Sequence, residues 1–555
     1  MIQEKQQTGF PSLDKPWLKY YDKEVINATL PKATLYNYLL NNTIEFQDKI
    51  AINYYNKNYT YRDIINQINI TASALENLGV RKGEIVTICT INSPETIFLI
   101  FALNKIGAIA NLIYGVSTES EIKKYIEETN TKFVFTLDIF QNKFQKLLEQ
   151  EIIEDVIVIE SNIVEMSLSI TNGFVSWEKF ISLNTLSSRT ENNEKEVAII
   201  TYTGGTTGGS KGVMQSSEGI LANVWQYCNM KINLDSNSKW LLVFPLFISF
   251  GVFSLLIPLS QGMTIIIRTP MADSIADLCK EFKPNHIMYG PAFWEAFAND
   301  NEDLDLSYLI EPMTGGDTLL PSVEEKLNNY LLDHGCYYRI MNGYGMSELG
   351  PGISINCKNA YESGSVGVPF VKNIVSAFDV DTGEELTYGK RGELCVCAPS
   401  MMVGYINNPD ETNKVIIKHK DGKLWVHTGD LGYISENGFI HLVGRIKRYM
   451  LCIANGVQKK VFSLDIEKVL NENPYIEKSV VVPMDDTIKN QVPVAYIKLK
   501  DFHNNNLVEK DLIKYCEEKL DDIFRPVKYF FVNEFPLTKV GKIDYRALEM
   551  KAEMQ

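Results

Sequence analysis

Histidine is scarce in this chain. Six occur in 555 residues, and none precedes His286. No H-E-x-x-H pair exists, which excludes the common zinc protease helix. Nine cysteines are scattered, with only Cys395-x-Cys397 close together. Neither a C-x-x-C pair nor a local zinc spacing occurs, so a disulfide scaffold is excluded and reduced thiols in a cytoplasmic protein are predicted. Positive charge is in deficit, with 54 Lys and Arg against 69 Asp and Glu and a formal charge of −15. A nucleic acid or an anionic membrane is therefore excluded as the main partner, and any bound anion must meet a local site. The N-terminal MIQEKQQTGFPSLDKPW lacks an apolar core, so no signal peptide is expected there. Repeats and low-complexity tracts are also missing, which excludes a solenoid.

One long uncharged run tests the soluble reading. The 28 residues between Lys239 and Arg268 carry no formal charge and could span a bilayer. Pro245, Ser249, Gly251, Pro258 and Ser260-Gln261-Gly262 would interrupt such a helix, and Thr264–Ile267 is β-branched. The favoured reading is a buried strand, loop, helix and strand, with no stable membrane insertion.

The rest of the chain alternates. Tyr61–Leu78 is periodic at helical spacing, Ile85–Thr90 reads as a buried strand, and Ser93-Pro94-Glu95 opens a helix that Gly107 ends. Apolar runs at Ala108–Ile113, Phe133–Phe135, Val156–Ile159 and Val197–Thr201 keep the rhythm. The predicted class is α/β, with mostly parallel sheets covered by helices. Ser187–Glu196 reads as a polar surface loop. A boundary near Gly444–Arg448 precedes about a hundred residues with helices near Asp465–Leu470 and Val508–Leu520 and strands at Val480–Val482 and Val494–Leu499. The expected organisation is a large domain, 1–444, a hinge, 445–448, and a small, mobile α+β domain, 449–555.

The strongest local signal is Tyr202-Thr-Gly-Gly-Thr-Thr-Gly-Gly-Ser-Lys-Gly-Val213, after a strand and before a helix expected from Ser216. Its glycines let backbone N–H groups converge on an anion, its threonines add hydroxyl donors, and Lys211 adds charge. This composition fits a phosphate cradle. A Walker loop requires lysine directly after the last glycine, whereas Ser210 intervenes between Gly209 and Lys211.

The string resembles the phosphate loop of the adenylate-forming enzymes, which include acyl-CoA synthetases and peptide-synthetase adenylation domains. Gly204 stands for the usual serine and Ser210 for the usual proline. Further motifs follow in the family's order. Thr314-Gly-Gly-Asp317 resembles the turn that meets adenine and ribose, implying roles for Gly315, Gly316 and Asp317. Asn342-Gly-Tyr-Gly-Met-Ser-Glu348 resembles the motif in which Tyr344 stacks on adenine, Ser347 bonds the α-phosphate and Glu348 holds Mg²⁺, with Gly345 between them. Arg391-Gly-Glu-Leu394, Gly404-Tyr405 and Asn408-Pro409 resemble an architectural run. His427-Thr-Gly-Asp430 and Gly444-Arg445 resemble the pair in which Asp430 takes the ribose hydroxyls and Arg445 sits beside ribose or phosphate. Pro536-Leu-Thr-Lys-Val-Gly-Lys-Ile-Asp544 resembles the motif whose lysine, here Lys542, reaches the substrate carboxylate and α-phosphate.

The resemblance thus implies Lys542, Glu348, Thr206 and Lys211 as catalytic groups, with Glu348 and Thr206 on the metal. Thr203, Gly204, Gly205 and Thr207 would complete the nucleotide site. Phe247, Ile248, Ser249, Phe250, Asn342, Gly343 and Met346 would line the acid pocket. Ile248 replaces a usual histidine, and Ser249 aligns where amino-acid-activating relatives carry aspartate. An apolar fatty or aryl acid is therefore expected, because an ammonium would lack a charge partner. Lys447 would be the hinge and Gly456 would line the thiol path; Leu451 replaces a usual lysine, and this segment is about four residues longer than the family's. ATP, Mg²⁺ and CoA are the implied cofactors. A separate carrier protein's phosphopantetheine is the alternative acceptor, since the chain ends at Gln555 soon after the lysine motif. A non-catalytic nucleotide-binding regulator is the remote alternative.

Overall fold

The structure is a computed structural model that describes residues 7–55, 57–161, 168–185, 193–203, 210–268, 274–300, 303–446, 448–454, 457–500, 505–538 and 543–554. Two large sheets build the first domain. One runs in spatial order Gly404–Tyr405, Gly212–Ser216, Val197–Tyr202, Ile109–Tyr114, Ile85–Thr90, Phe133–Leu137, Asp155–Ile159 and Val175–Ser176, and it is parallel from Val197–Tyr202 onward. The other is parallel from Met341–Tyr344 through Met313–Gly315, His286–Tyr289, Lys239–Leu242 and Thr264–Ile267 to Ile50–Tyr54. A third, antiparallel sheet comprises Ile374–Phe378, Gly392–Cys397, Leu424–Ile434, Ile416–Lys418 and Ile440–Arg445. Parallel sheets need cover on both faces, and the helices between their strands supply it.

Local signals set the helix limits. Thr60 and Asp63 form a reciprocal capping box for Tyr61–Leu78, whose Ile64, Ile68, Ala72 and Leu75 are fully buried. Each of the isoleucine and leucine side chains contributes about 1.5–3 kcal/mol of burial. The Ser93 hydroxyl caps Pro94–Ile106, and Gly107 ends it at φ 78°, where its N–H returns to Asn104 and Leu103 carbonyls.

The long uncharged run folds as expected: the strand Lys239–Leu242, a loop, the buried helix Ser249–Ser260 and the strand Thr264–Ile267. Among the described residues no helix is long and apolar enough to cross a membrane. Apolar sheets and helices bury one another here, which removes the need for lipid.

A second, smaller domain follows. Val457–Phe462, Tyr449–Ala454, Asn490–Leu499, Ile476–Asp486 and Lys528–Phe531 form one sheet, covered by helices Ser463–Asn471, Asn505–Lys519 and Tyr545–Glu553. Its core, around Met450, Val461, Ile466, Leu470 and Ile497, is separate from those of the large domain. Exposed ion pairs Lys460–Asp381 (3.3 Å) and Arg391–Asp465 (3.6 Å) cross between the two.

Candidate active site

The parallel strands Met313–Gly315 and Met341–Tyr344 lie side by side, Gly315 opposite Gly343. A Cβ on Gly315 would stand 2.9 Å from the Gly343 carbonyl oxygen, and one on Gly345 would stand 1.4 Å from that of Pro351. Glycine is therefore required for the backbones to approach this closely. Gly316 turns the chain at φ 86°, and Asp317 accepts from the Thr318 N–H at 2.7 Å. Thr314 Oγ1 and Asn342 Oδ1 are buried without a protein hydrogen-bond partner. Orphaned buried polar atoms at strand ends are costly, and they suit a ligand that brings its own donors and acceptors.

Tyr344 donates its hydroxyl to Asp430 Oδ2 at 2.6 Å, and Arg445 Nε pairs with Asp430 Oδ1 at 2.7 Å. Asp430 and Arg445 are direct antiparallel partners, so the sheet register sets their meeting. Gly429 at φ 71° and the Thr428 hydroxyl, 3.0 Å from the Asp430 N–H, aim the carboxylate. Burial and then the Asp430 charge hold the Tyr344 phenol well above its ordinary range, so it stays a donor.

The phosphate side differs from expectation in one respect. Lys211 leads into a strand, Gly212–Ser216, antiparallel to Val197–Tyr202; the helix starts after it, at Ser217–Cys228 with Ser216 as its cap. The helix expected from Ser216 is therefore present, and the unexpected element is the strand before it, in which Val213 and Met214 pair with Thr201 and Ile200. The base of the glycine loop is tied by Thr203 N–H to the Lys211 carbonyl (3.1 Å) and Ser210 Oγ to the Thr203 carbonyl (2.6 Å). Gly204, Gly205, Thr206 and Thr207 lie outside the described residues, as do Lys447, Gly456 and Lys542.

Lys211 Nζ pairs with Glu411 Oε2 at 2.5 Å and lies 4.8 Å above the Tyr405 ring. Tyr405 in turn donates to the buried Glu348 Oε1 at 2.6 Å. Tyr405 therefore does more than support the architecture assigned to Gly404-Tyr405. Hydrogen bonding to Lys211 and Lys414 pulls the Glu411 carboxyl down to about 2, so the pair stays ionised at neutral pH. Ser347 receives the Ser249 hydroxyl at 2.8 Å and the Gln215 amide on its carbonyl at 3.0 Å. Contacts thus join Lys211, Tyr405 and Glu348, and the adjacent Ser347 links onward to Ser249.

On the Ser249 side the lining is aromatic. Phe247 stacks on Tyr114 at 4.1 Å, Phe250 meets Phe244 at 4.6 Å, and Phe244 meets Tyr289 at 5.0 Å. Asn92 clamps the loop, donating to the Phe244 carbonyl and accepting from the Leu246 N–H, both at 2.9 Å. Ile248 precedes the helix in extended conformation. Gly343 faces Met313, and Met346 packs in the cluster around Tyr344 and Leu349. Tyr114, Asn92, Tyr289 and Glu411 escaped the sequence reading; only the Asn-Pro-Asp-Glu411 run beside Tyr405 carried a local hint. Near Lys542, Ile543 bridges to Leu537 and the Asp544 N–H reaches the Pro536 carbonyl at 2.7 Å, closing the base of that loop.

Two largely parallel sheets, an antiparallel third and a small trailing domain around this cluster make up the adenylate-forming fold. The chain belongs to the AMP-binding enzyme family, whose model matches residues 41–406, with the AMP-binding enzyme C-terminal domain matching 465–542. It is 28% identical to a long-chain-fatty-acid–CoA ligase of Bacillus subtilis, over 96% of this chain and 97% of that one. A 4-coumarate–CoA ligase of Humulus lupulus is also 28% identical, over 93% of each chain. The solved structure of ATP-bound MatB from Rhodopseudomonas palustris superposes with a TM-score of 0.82 at 21% identity, covering 94% of this chain and 99% of that one.

Proposed function

We propose that this enzyme is an ATP-dependent ligase of an apolar carboxylic acid, fatty or aryl, that makes an acyl-adenylate and then an acyl-CoA. The carrying observation is the connected set Lys211, Tyr405, Glu348, Ser347 and Ser249, which runs from a lysine at the glycine loop to an uncharged aromatic cluster. The proposed division is a large domain, 1–444, a hinge, 445–448, and a small domain, 449–555.

Adenylation brings two anions together. A carboxylate oxygen attacks the α-phosphorus, that P–O bond forms, and the bond to the β-phosphate bridging oxygen breaks to release pyrophosphate. The obstacle is charge repulsion, which positioned cations relieve. Lys211 and Lys542 would supply positive charge, and Asp430 would take the ribose hydroxyls beside Arg445. Phosphate oxygens would exchange for Glu411 on Lys211. Ser347 would reach the α-phosphate, and Tyr344, Gly315, Gly316 and Asp317 would border the nucleoside. Thr203, Gly204, Gly205 and Thr207 would wrap the β- and γ-phosphates. Glu348 suits Mg²⁺, since it is a buried hard carboxylate steadied by the Tyr405 hydroxyl; with Thr206 it would hold the ion, which neutralises phosphate charge. No general base is needed, because the nucleophile is already ionised.

In the second half a thiol sulfur attacks the acyl carbon, the thiol proton leaves to solvent, and AMP departs. Rotation about Lys447 would bring Gly456 to the thiol path. Phe247, Ile248, Ser249, Phe250, Asn342, Gly343 and Met346 would hold the acid. The uncharged lining disfavours α-amino acids. A carrier-protein phosphopantetheine is the second reading of the acceptor, motivated by Leu451 and the Tyr449–Phe462 hairpin, where the sequence departs from the family's hinge pattern.

Pyrophosphate release with ATP and Mg²⁺ over aliphatic, aryl and α-amino acids tests the reading, first without a thiol and then with CoA. Release that depends on an apolar acid and becomes sustained acyl-CoA synthesis is expected. Activity confined to amino acids, or an adenylate that CoA fails to discharge, would replace it with carrier loading.

A further inference from the structure

Cys395 and His427 are direct partners across two antiparallel strands, so their side chains share one face of the third sheet. A carboxylate oxygen of Glu393, the Cys395 sulfur and a ring nitrogen of His427 lie within 4.8 Å of one another. His427 donates Nδ1–H to Glu393 Oε2 at 2.8 Å, and its Nε2 is 2.9 Å from Nε2 of His419. His419 is steadied by stacking on Trp425 at 5.4 Å and by the Phe378 edge at 4.7 Å. Two imidazole nitrogens so close must share a proton or a cation. The His419 contact on Nε2 is the kind of outer partner that fixes the ring orientation of a metal-bound histidine, leaving Nδ1 towards Glu393 and Cys395.

We propose that Glu393, Cys395 and His427 form a binding site for a thiophilic divalent cation of the zinc type, with His419 behind His427 as an outer partner on its Nε2. Sulfur and imidazole donors select zinc over magnesium or calcium. Tetrahedral zinc with bonds of about 2.0–2.1 Å to a ring nitrogen and a carboxylate oxygen sets those atoms about 3.3 Å apart, so His427 Nδ1 and Glu393 Oε2, now at 2.8 Å, need separate only slightly to admit it. Cys395 is buried, and a cation that takes its sulfur must displace the thiol proton. His427 and Glu393 are partly exposed, with side chains 21% and 15% accessible, which leaves an entry path. His427 is remote in sequence from Glu393 and Cys395, and no zinc spacing joins them; strand register brings it opposite Cys395. Glu393 Oε1 also accepts the Gly429 N–H at 3.0 Å, and Thr428 Oγ1 donates to the Leu394 carbonyl at 2.7 Å. The bound ion would therefore brace the corner that aims Asp430, and the site stands whether or not the adenylation reading does.

The test uses the full chain stripped with chelator and titrated with Co²⁺, followed by native mass spectrometry with Zn²⁺. One ion per chain and a near-ultraviolet thiolate-to-cobalt band are expected. Cys395→Ser should abolish the band, and His419→Gln, on a partly exposed hairpin, should weaken binding about 10–100-fold with circular dichroism unchanged. Absence of the band at one equivalent overturns the proposal. So does wild-type binding by both variants, which would place the ion on other thiols.

Discussion

Asp430 shows how one side chain is specified from several directions. Its carboxylate takes a phenol on one oxygen and a guanidinium on the other, while its backbone N–H is held by Thr428. Replacing it with asparagine leaves the shape and removes the charge that Arg445 answers. Hydrogen bonds to charged groups contribute about 1.5–3 kcal/mol, so Asp430→Asn should raise KM for ATP about 10–100-fold in the pyrophosphate assay. Tyr344→Phe should cost less, and the double variant should fall short of the sum because the two share one contact. An unchanged KM in Asp430→Asn would remove this aspartate from the nucleotide site. The residue pair was legible in the sequence as the Thr-Gly-Asp430 and Gly444-Arg445 strings. Glu411 was not, since its role depends on Lys211 crossing from a distant strand. Cys395, His419 and His427 were invisible as a group for the same reason: they become neighbours only when the third sheet forms.

At the scale of elements, signals held wherever they were local. Tyr61–Leu78, Ile85–Thr90 and the Ser93 to Gly107 helix follow caps and glycine stops that act within a few residues. The helix expected from Ser216 forms, whereas the strand Gly212–Ser216 before it had no sequence signal, because it is short and its pairing with Val197–Tyr202 is a matter of tertiary register. The helix Ser249–Ser260 joins both lessons. It was read as a buried helix from its proline and serine interruptions, while the contact of Ser249 with Ser347 came only from folding. Ser249 stands in the first turn, where a carboxylate is favoured by the helix dipole, so Ser249→Asp should fold. A second negative charge beside the incoming carboxylate is repulsive. The variant should therefore lose at least ~10-fold in pyrophosphate release with apolar acids and lose less with α-amino acids. Equal loss across both classes, with intact circular dichroism, would separate Ser249 from acid selection.

Across the whole molecule, the two domains meet through exposed ion pairs such as Arg391–Asp465 and Lys460–Asp381, each worth no more than about 1 kcal/mol. Breaking these two pairs would add little to the cost of the proposed rotation, in which Lys542 serves the adenylation half-reaction. Lys542→Ala should depress pyrophosphate release at least ~100-fold while acyl-CoA formation from supplied acyl-adenylate persists; equal loss of both would make the lysine a folding element. Global stability has its own titrating group in His286, buried against Trp240 at 5.3 Å. Burial pushes this imidazole down to about 4 from an ordinary 6.5. Between those values the unfolded chain binds a proton that the folded chain refuses, so stability from this group is complete above about pH 6.5 and falls as pH drops towards 4. The shift corresponds to roughly 3 kcal/mol. Denaturant unfolding of His286→Phe should therefore show a shallower loss between pH 7 and pH 4 than the parent, with the difference in slope confined to that window. Parallel pH profiles would mean that the imidazole charges in the folded protein and that acid sensitivity lies in other groups.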